Sequence, residues 1–160
     1  MKHPITLTIT IVTILTYIVQ SGIVALPFSM YLPITYHPDA PLHHYLLFHF
    51  FHVNIFHLLS NLFALWYYRP RLSTIIMSFA VATIGAYIDV LLLPTTTCGL
   101  SAFIFAAFAR YFVAWHKSIL PIILFILITA IIPSINWHVH LISFLLSYLV
   151  WLIIYEHKKK

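Results

Sequence analysis

HVNIFHLLSN, residues 52–61, places two histidines and an asparagine at the head of a segment that is otherwise as apolar as a membrane span. Polar side chains are costly at membrane depth, and where they occur they usually face a protein interior or a water-filled cavity and mark a functional site. His57 and Asn61 are four residues apart, so their side chains lie on one face of a helix. The stretch therefore predicts a buried polar site that residues elsewhere in the chain must complete.

The composition indicates the class of protein to which this site belongs. Of 160 residues, 62% are hydrophobic and only 7% are charged, which is typical of a chain with several membrane spans. The basic residues stand singly or in short clusters between apolar runs, a pattern that favours topology signals over a nucleic-acid surface. The single cysteine excludes an internal disulfide. We expect one all-α, multi-pass membrane domain covering residues 1–160.

The apolar runs and the breaks between them predict six transmembrane helices. Their approximate predicted bounds are 5–26, 54–68, 72–92, 99–114, 118–132 and 137–155. Residues 27–48 contain four prolines, which forbid a continuous helix, and their aromatic residues predict a loop lying in the membrane interface.

The charges predict the orientation of this six-helix arrangement. All eight lysines and arginines fall on one side of it, and the positive-inside rule makes that side cytoplasmic. These residues are Lys2, Arg69, Arg71, Arg110, Lys117, Lys158, Lys159 and Lys160. We therefore expect both termini in the cytoplasm and the protein in an inner or plasma membrane, with Asp39 and Asp89 in outer loops.

Three polar elements then fall at a similar depth, because spans two, four and six all enter from the outside. His57 and Asn61 begin the second span, Ser101 begins the fourth and His140 begins the sixth. A serine hydroxyl is a weak nucleophile until a neighbouring base takes its proton, and histidine is the usual base. Ser101 and His140 are therefore the candidate nucleophile and base.

The other polar groups fit the same chemistry. The N–H donors of His57 and Asn61, with the backbone N–H of Ser101, can form an oxyanion hole for a tetrahedral intermediate. No carboxylate is placed to orient His140, so the sequence predicts a Ser–His dyad rather than a triad. Phe105, one turn after Ser101 on the same helix face, is the candidate to stack on the imidazole.

Three segments together carry a family resemblance. HVNIFHLLSN, then GLSA at 99–102, then WHVHLISFLLS at 137–147 resemble the intramembrane serine proteases called rhomboids. In that family, His-x4-His-x3-Asn, Gly-x-Ser and a late histidine mark the second, fourth and sixth core helices. Gly99 and Ser101 match the Gly-x-Ser pair, and the resemblance covers the six-helix core, in effect the whole chain.

The resemblance implies a role for each matching residue. Ser101 would be the nucleophile and His140 the general base and acid. His57 and Asn61 would be oxyanion donors, with His52 a supporting residue nearby. It also implies transmembrane protein substrates within the lipid bilayer, a first loop partly in the membrane, and a fifth helix acting as a lateral substrate gate. No cofactor and no nucleic-acid partner are expected.

The sequence departs from the family pattern at several positions. Ala102 follows the serine where glycine is more frequent, and Ser143 and Ser147 replace the glycines that usually follow the last histidine. Residues 69–71 read RPR in place of a Gly/Glu pattern. These departures leave open an inactive, rhomboid-like pseudoprotease that binds membrane proteins.

A different class of function also stays open. Five histidines crowd the outer side, and imidazole is the commonest protein ligand for several metals. They are His43, His44, His49, His52 and His57. No carboxylate or thiolate accompanies them, so a metal-binding or haem-binding membrane protein is the weaker alternative to the protease.

Overall fold

The chain is all-α in the computed structural model, which describes residues 3–21, 41–93, 98–115, 117–132 and 135–158. The α-helices are α1 Pro4–Gln20, α2 Leu42–Leu47, α3 Ile55–Tyr68, α4 Leu72–Leu92, α5 Ser101–Ala114, α6 Leu120–Thr129 and α7 Trp137–His157, with a short 3₁₀ helix at Phe48–Phe50. Those residue ranges contain no β-strand. The predicted all-α class is confirmed for this part of the chain.

Two of the described helices, α4 and α7, are long and apolar enough to cross a membrane. A third span is possible if His43–Phe50 and Ile55–Tyr68, which meet at 88°, count as one bent element. The other apolar helices, α1, α5 and α6, are shorter. The length and apolar character of these helices identify a membrane protein.

The three helices α4, α5 and α7 form the centre of the molecule, with the contact between α5 and α7 the most extensive. Small residues let helix backbones approach closely, and α5 buries Ala102, Ala106, Ala107 and Ala109. This alanine-rich helix accordingly packs against both α4 and α7. Residues at the start of α5 are consequently held against residues at the start of α7.

Helices α4 and α7 approach each other closely where a glycine faces a serine. A Cβ atom on Gly85 of α4 would lie 2.7 Å from Oγ of Ser143 on α7. One turn further along α7, the hydroxyl of Ser147 donates to the backbone oxygen of Ala106 on α5, at 2.6 Å. Ser143 and Ser147, which stand where rhomboids usually have glycine, therefore lie in close helix contacts, and Gly85 supplies the space at one of them.

Several predicted helix ends were wrong. Helix α1 ends at Gln20 rather than near residue 26. Helix α5 begins at Ser101 rather than Gly99, because Gly99 has a φ of 113°, which a right-handed helix cannot contain. Helix α6 is shorter than the predicted 118–132, and α7 continues to His157.

The interfacial loop predicted for residues 27–48 was wrong in its last part. Pro41 is the N-cap of α2, and residues 42–50 contain no proline, so a helix and a 3₁₀ turn form there. The preceding part of the predicted loop, including Asp39, lies outside the described residues.

Candidate active site

Ser101 and His140 are in direct contact although 39 residues separate them in sequence. Nε2 of His140 lies 2.8 Å from Oγ of Ser101. Ser101 is the first residue of α5 and His140 lies in the first turn of α7, so the packing of these two helices creates the contact. With Nε2 unprotonated, the serine hydroxyl donates to it, which is the arrangement that a general base needs.

The imidazole of His140 is held mainly by packing. It is buried, and the ring of Phe105 stacks on it with the centroids 4.8 Å apart and the planes at 27°. Among the described residues, none hydrogen-bonds to Nδ1 of His140. The contacts of this part of the chain therefore form a Ser–His pair, with an aromatic ring beside the imidazole and no carboxylate bonded to it.

Gly99 brings the backbone before Ser101 against the side chains of α3. A Cβ atom at this position would lie 2.5 Å from Cε1 and 2.8 Å from Nε2 of His57, and 3.4 Å from Nδ2 of Asn61. Its φ of 113° is also a conformation that residues with a side chain rarely adopt. Only glycine fits here, and the fit places His57 and Asn61 beside the loop that leads to Ser101.

The start of α5 adds a backbone donor at the same place. The first intrahelical bond of α5 runs from the N–H of Ile104 to the oxygen of Leu100, so the N–H of Ser101 has no helical carbonyl to bind. The positive end of the helix dipole lies at these first-turn N–H groups. Together with the neighbouring His57 and Asn61, this N–H can stabilise a negative charge that develops on a substrate oxygen.

His52 connects Asn61 to the loop that precedes Ser101. Its Nε2 lies 3.0 Å from Nδ2 of Asn61 and 3.4 Å from the backbone nitrogen of Leu100, and its Nδ1 lies 3.3 Å from the oxygen of Phe50. One tautomer is consistent with all three contacts: Nδ1–H donates to the oxygen of Phe50, and the single lone pair of Nε2 is shared by the N–H groups of Asn61 and Leu100. A fully buried, neutral His52 therefore holds the amide of Asn61, using one of its two N–H bonds.

Gln20 is a neighbour of the site that was not among the residues predicted from the sequence. Its side-chain amide bonds to both backbone groups of His52, donating to the oxygen at 2.9 Å and accepting from the nitrogen at 3.0 Å. The available signal was a single amide at the end of an otherwise apolar run, and polar residues in such runs are often functional.

Cys98 immediately precedes Gly99 and is half-buried. Burial raises the pKa of its thiol to about 11, and a hydrogen bond with the backbone of Val53 lowers that pKa by a smaller amount. The backbone N–H of Gly99 donates to the oxygen of Phe48 at 2.8 Å, which ties this loop to the 3₁₀ turn. The thiol is therefore protonated and poorly nucleophilic near neutral pH.

Asp89 was predicted in an outer loop, and that prediction was wrong. It lies in the last turn of α4 and is fully buried, and its Oδ2 accepts a hydrogen bond from Nδ2 of Asn136 at 2.8 Å. The Oδ1 of Asn136 in turn accepts from the N–H of Val139 and caps α7. A buried carboxylate is stable only when it is paired or hydrogen-bonded, and the cap of α7 provides a donor.

The other histidines are dispersed. His49 is fully buried, with Nε2 3.3 Å from Oγ1 of Thr83, whereas His43 and His44 pack edge to face on α2. His138 lies next to the cap, with Nδ1 3.3 Å from Oδ1 of Asn136. The part of the chain that the structure describes contains no group of three His, Cys, Asp or Glu side chains arranged to hold a metal ion.

No protein-family model matches the chain, and a search of curated proteins finds no match either. The resemblance to rhomboids therefore rests on the sequence motifs alone.

Proposed function

We propose that this protein is an intramembrane serine endopeptidase of rhomboid type, which hydrolyses peptide bonds of transmembrane protein substrates. The observation that carries the proposal is the 2.8 Å contact between Oγ of Ser101 and Nε2 of His140, with His57 and Asn61 packed against the glycine two residues before the serine. A nucleophile, a base and candidate oxyanion donors thus come from three different helices to one place.

The proposed reaction follows the order of these contacts. Nε2 of His140 takes the proton of the Ser101 hydroxyl while Oγ attacks the scissile carbonyl carbon, and the carbonyl oxygen becomes an oxyanion. The N–H of Ser101 and the side chains of His57 and Asn61 donate to that oxyanion. The imidazolium then gives its proton to the leaving amine, and water activated by His140 hydrolyses the acyl-enzyme.

The length of α5 supports cleavage below a membrane surface. A helix of 14 residues such as α5 is about 21 Å long, and the hydrocarbon core is about 30 Å thick. If the carboxyl end of α5 reaches one boundary of that core, Ser101 lies about 9 Å below the other. In the proposed six-span topology that nearer boundary is the outer face of an inner or plasma membrane, and water reaches Ser101 from that side.

Labelling with a fluorophosphonate, which reacts covalently with activated serines, tests the proposal. We expect the unsubstituted protein to be labelled and Ser101→Ala to remain unlabelled. His140→Ala should lose at least about 100-fold in labelling rate, since a positioned base contributes on the order of 10²–10⁴. Ser73→Ala, which removes an exposed hydroxyl near the start of α4, is the matched control and should be labelled normally.

A cleavage assay completes the test. The purified protein is reconstituted in lipid vesicles with a single-span substrate, and the product is mapped by mass spectrometry. Labelling of Ser101→Ala at the unsubstituted rate would overturn the assignment of the nucleophile. If the unsubstituted protein is neither labelled nor able to cut the substrate, but still binds it, the chain is the pseudoprotease that Ala102, Ser143 and Ser147 leave open.

A further inference from the structure

The end of α1 is tied to the loop that carries His52 by a two-bond bridge. The Nε2 of Gln20 donates to the backbone oxygen of His52 and its Oε1 accepts from the backbone nitrogen of the same residue, across 32 positions of sequence. A side-chain amide that satisfies both groups of one residue fixes the position and the direction of that residue's backbone, as a neighbouring strand would.

The ring of His52 extends this constraint to the site. Its Nε2 accepts from Nδ2 of Asn61 and from the N–H of Leu100, the residue directly before Ser101. His52 is fully buried, so both donors would lose a partner that water does not readily replace if the ring moved. The backbone of His52 therefore determines where the Asn61 amide and the first turn of α5 lie.

We infer that Gln20 is a positioning residue of this site: it holds His52, and through it the Asn61 amide and the backbone before Ser101. The inference rests on the proposed function for its catalytic consequence, whereas the link itself is a property of the fold. If the bonds of Gln20 to His52 served stability alone, their removal would leave the positions of Asn61 and Leu100 unchanged.

Cys98 provides a measurement of the link that needs no catalysis. It is the only cysteine of the chain and lies two residues before Leu100, half-buried, in the loop that His52 helps to hold. In a Ser101→Ala background, the alkylation rate of Cys98 by iodoacetamide at pH 8 reports how tightly that loop is packed. Burial keeps its pKa near 11, so the rate in the intact protein is low.

The variant to compare is Gln20→Met, which keeps the length of the side chain and removes both hydrogen bonds. We expect it to raise the Cys98 alkylation rate at least about tenfold, because a loosened loop exposes the thiol and lowers its pKa. The matched control is Thr16→Val, one turn earlier in α1, where the hydroxyl bonds only within its own helix, to the oxygen of Val12. An unchanged rate in Gln20→Met would overturn the inference.

Gln20→Glu keeps the acceptor for the N–H of His52 and removes the donor to its oxygen. The alkylation rate of Cys98 in Gln20→Glu should lie between the rates in the unsubstituted protein and in Gln20→Met. If Gln20→Met fails to fold, the rate in Gln20→Glu decides whether Gln20 holds the loop. A rate for Gln20→Glu equal to that of Thr16→Val would count against the link.

Kinetics on the active protein separate positioning from stability. We expect Gln20→Met to lower kcat on the order of tenfold with KM unchanged, less than the 10²–10³ lost when an oxyanion donor is removed outright. Because Gln20 acts through His52, adding Gln20→Met to His52→Ala should cause no further loss, whereas independent effects would multiply. If the unsubstituted protein cleaves nothing, the proposed function fails, and the Cys98 rate still decides whether Gln20 holds the loop.

Discussion

Gly99 has a φ of 113°, and its α-carbon faces the ring of His57 so closely that a Cβ atom would lie 2.5 Å from Cε1. Left-handed backbone costs a residue with a side chain about 1–2 kcal/mol, and excess volume in a packed site costs about 1–3 kcal/mol more. The ring of His57 is the group that would have to move. A methyl group added at Gly99 would therefore be opposed by two independent effects, the backbone conformation and the contact with His57.

We predict that Gly99→Ala destabilises the protein by about 2–5 kcal/mol and displaces His57, so that the fluorophosphonate labelling rate of Ser101 falls even in the folded fraction. Thermal unfolding in detergent measures the first effect, and labelling well below the midpoint temperature measures the second. Ala80→Val, which adds bulk at an exposed position of α4, is the control. Labelling of Gly99→Ala at the unsubstituted rate would show that the close approach to His57 has no bearing on Ser101.

The residues around Ser101 differ in how far the sequence could predict them. His57 and Asn61 share a face because of local helix geometry, and the apolar background made them conspicuous. The stacking partner of His140 also follows from helical spacing, since Phe105 lies one turn after Ser101. The polarity of Gln20 in an apolar run was a signal, but its partner could not be predicted, because Gln20 bonds to backbone atoms 32 residues away and no side-chain pattern records such a contact.

At the scale of the helices, the contact between α4 and α7 depends on the pairing of Gly85 with Ser143. A Cβ atom on Gly85 would lie 2.7 Å from Oγ of Ser143 and 3.3 Å from its Cα. From the sequence, Ser143 is notable only because rhomboids usually have glycine at that position. That the glycine is on the facing helix could not be predicted, because the pairing of positions on two helices requires their relative rotation.

We predict that Gly85→Ala destabilises the protein by about 1–3 kcal/mol and that Ser143→Gly relieves part of this, because the clashing hydroxyl is removed. The coupling energy in the double-mutant cycle should be on the order of 1 kcal/mol, measured as free energy of unfolding by denaturant titration in bicelles. Ser147→Gly is the matched control, since Ser147 contacts Ala106 of α5 instead. Additivity of Gly85→Ala with Ser143→Gly would contradict the pairing.

The ends of several helices could not be predicted from hydropathy alone. The apolar runs of the sequence predicted the positions of six of the described helices, but the length of each helix depends on local backbone conformation. Gly99 delays the start of α5 by its positive φ, and Pro41 begins α2 inside a stretch that its prolines had marked as a loop. In both places one residue's backbone geometry decided the boundary, and the hydropathy of the neighbours did not indicate it.

At the scale of the whole molecule, only α4 and α7 among the described helices have the length and apolar character of a complete span, while the charges of the sequence favour six crossings. Short helices are compatible with a catalytic site below a membrane surface, because polar residues at their ends then lie within the membrane's thickness yet face a protein interior. The orientation of α4 tests the six-span topology directly, because α4 has the length of a complete span and its two ends should then lie on opposite sides of the membrane.

We predict that the two ends of α4 lie on opposite sides of the membrane, with its first turn cytoplasmic. In a Cys98→Ala background, Leu93→Cys should react with an impermeant maleimide on intact cells, whereas Ser73→Cys should react only after lysis. His3→Cys and His157→Cys should behave as Ser73→Cys does, since six spans put both termini on the side that carries the lysines and arginines. Reaction of Ser73→Cys from outside with protection of Leu93→Cys would reverse the orientation and place Ser101 near the cytoplasmic face. Reaction of both from one side would mean that α4 does not cross, and a re-entrant arrangement would then have to bring Ser101 to His140.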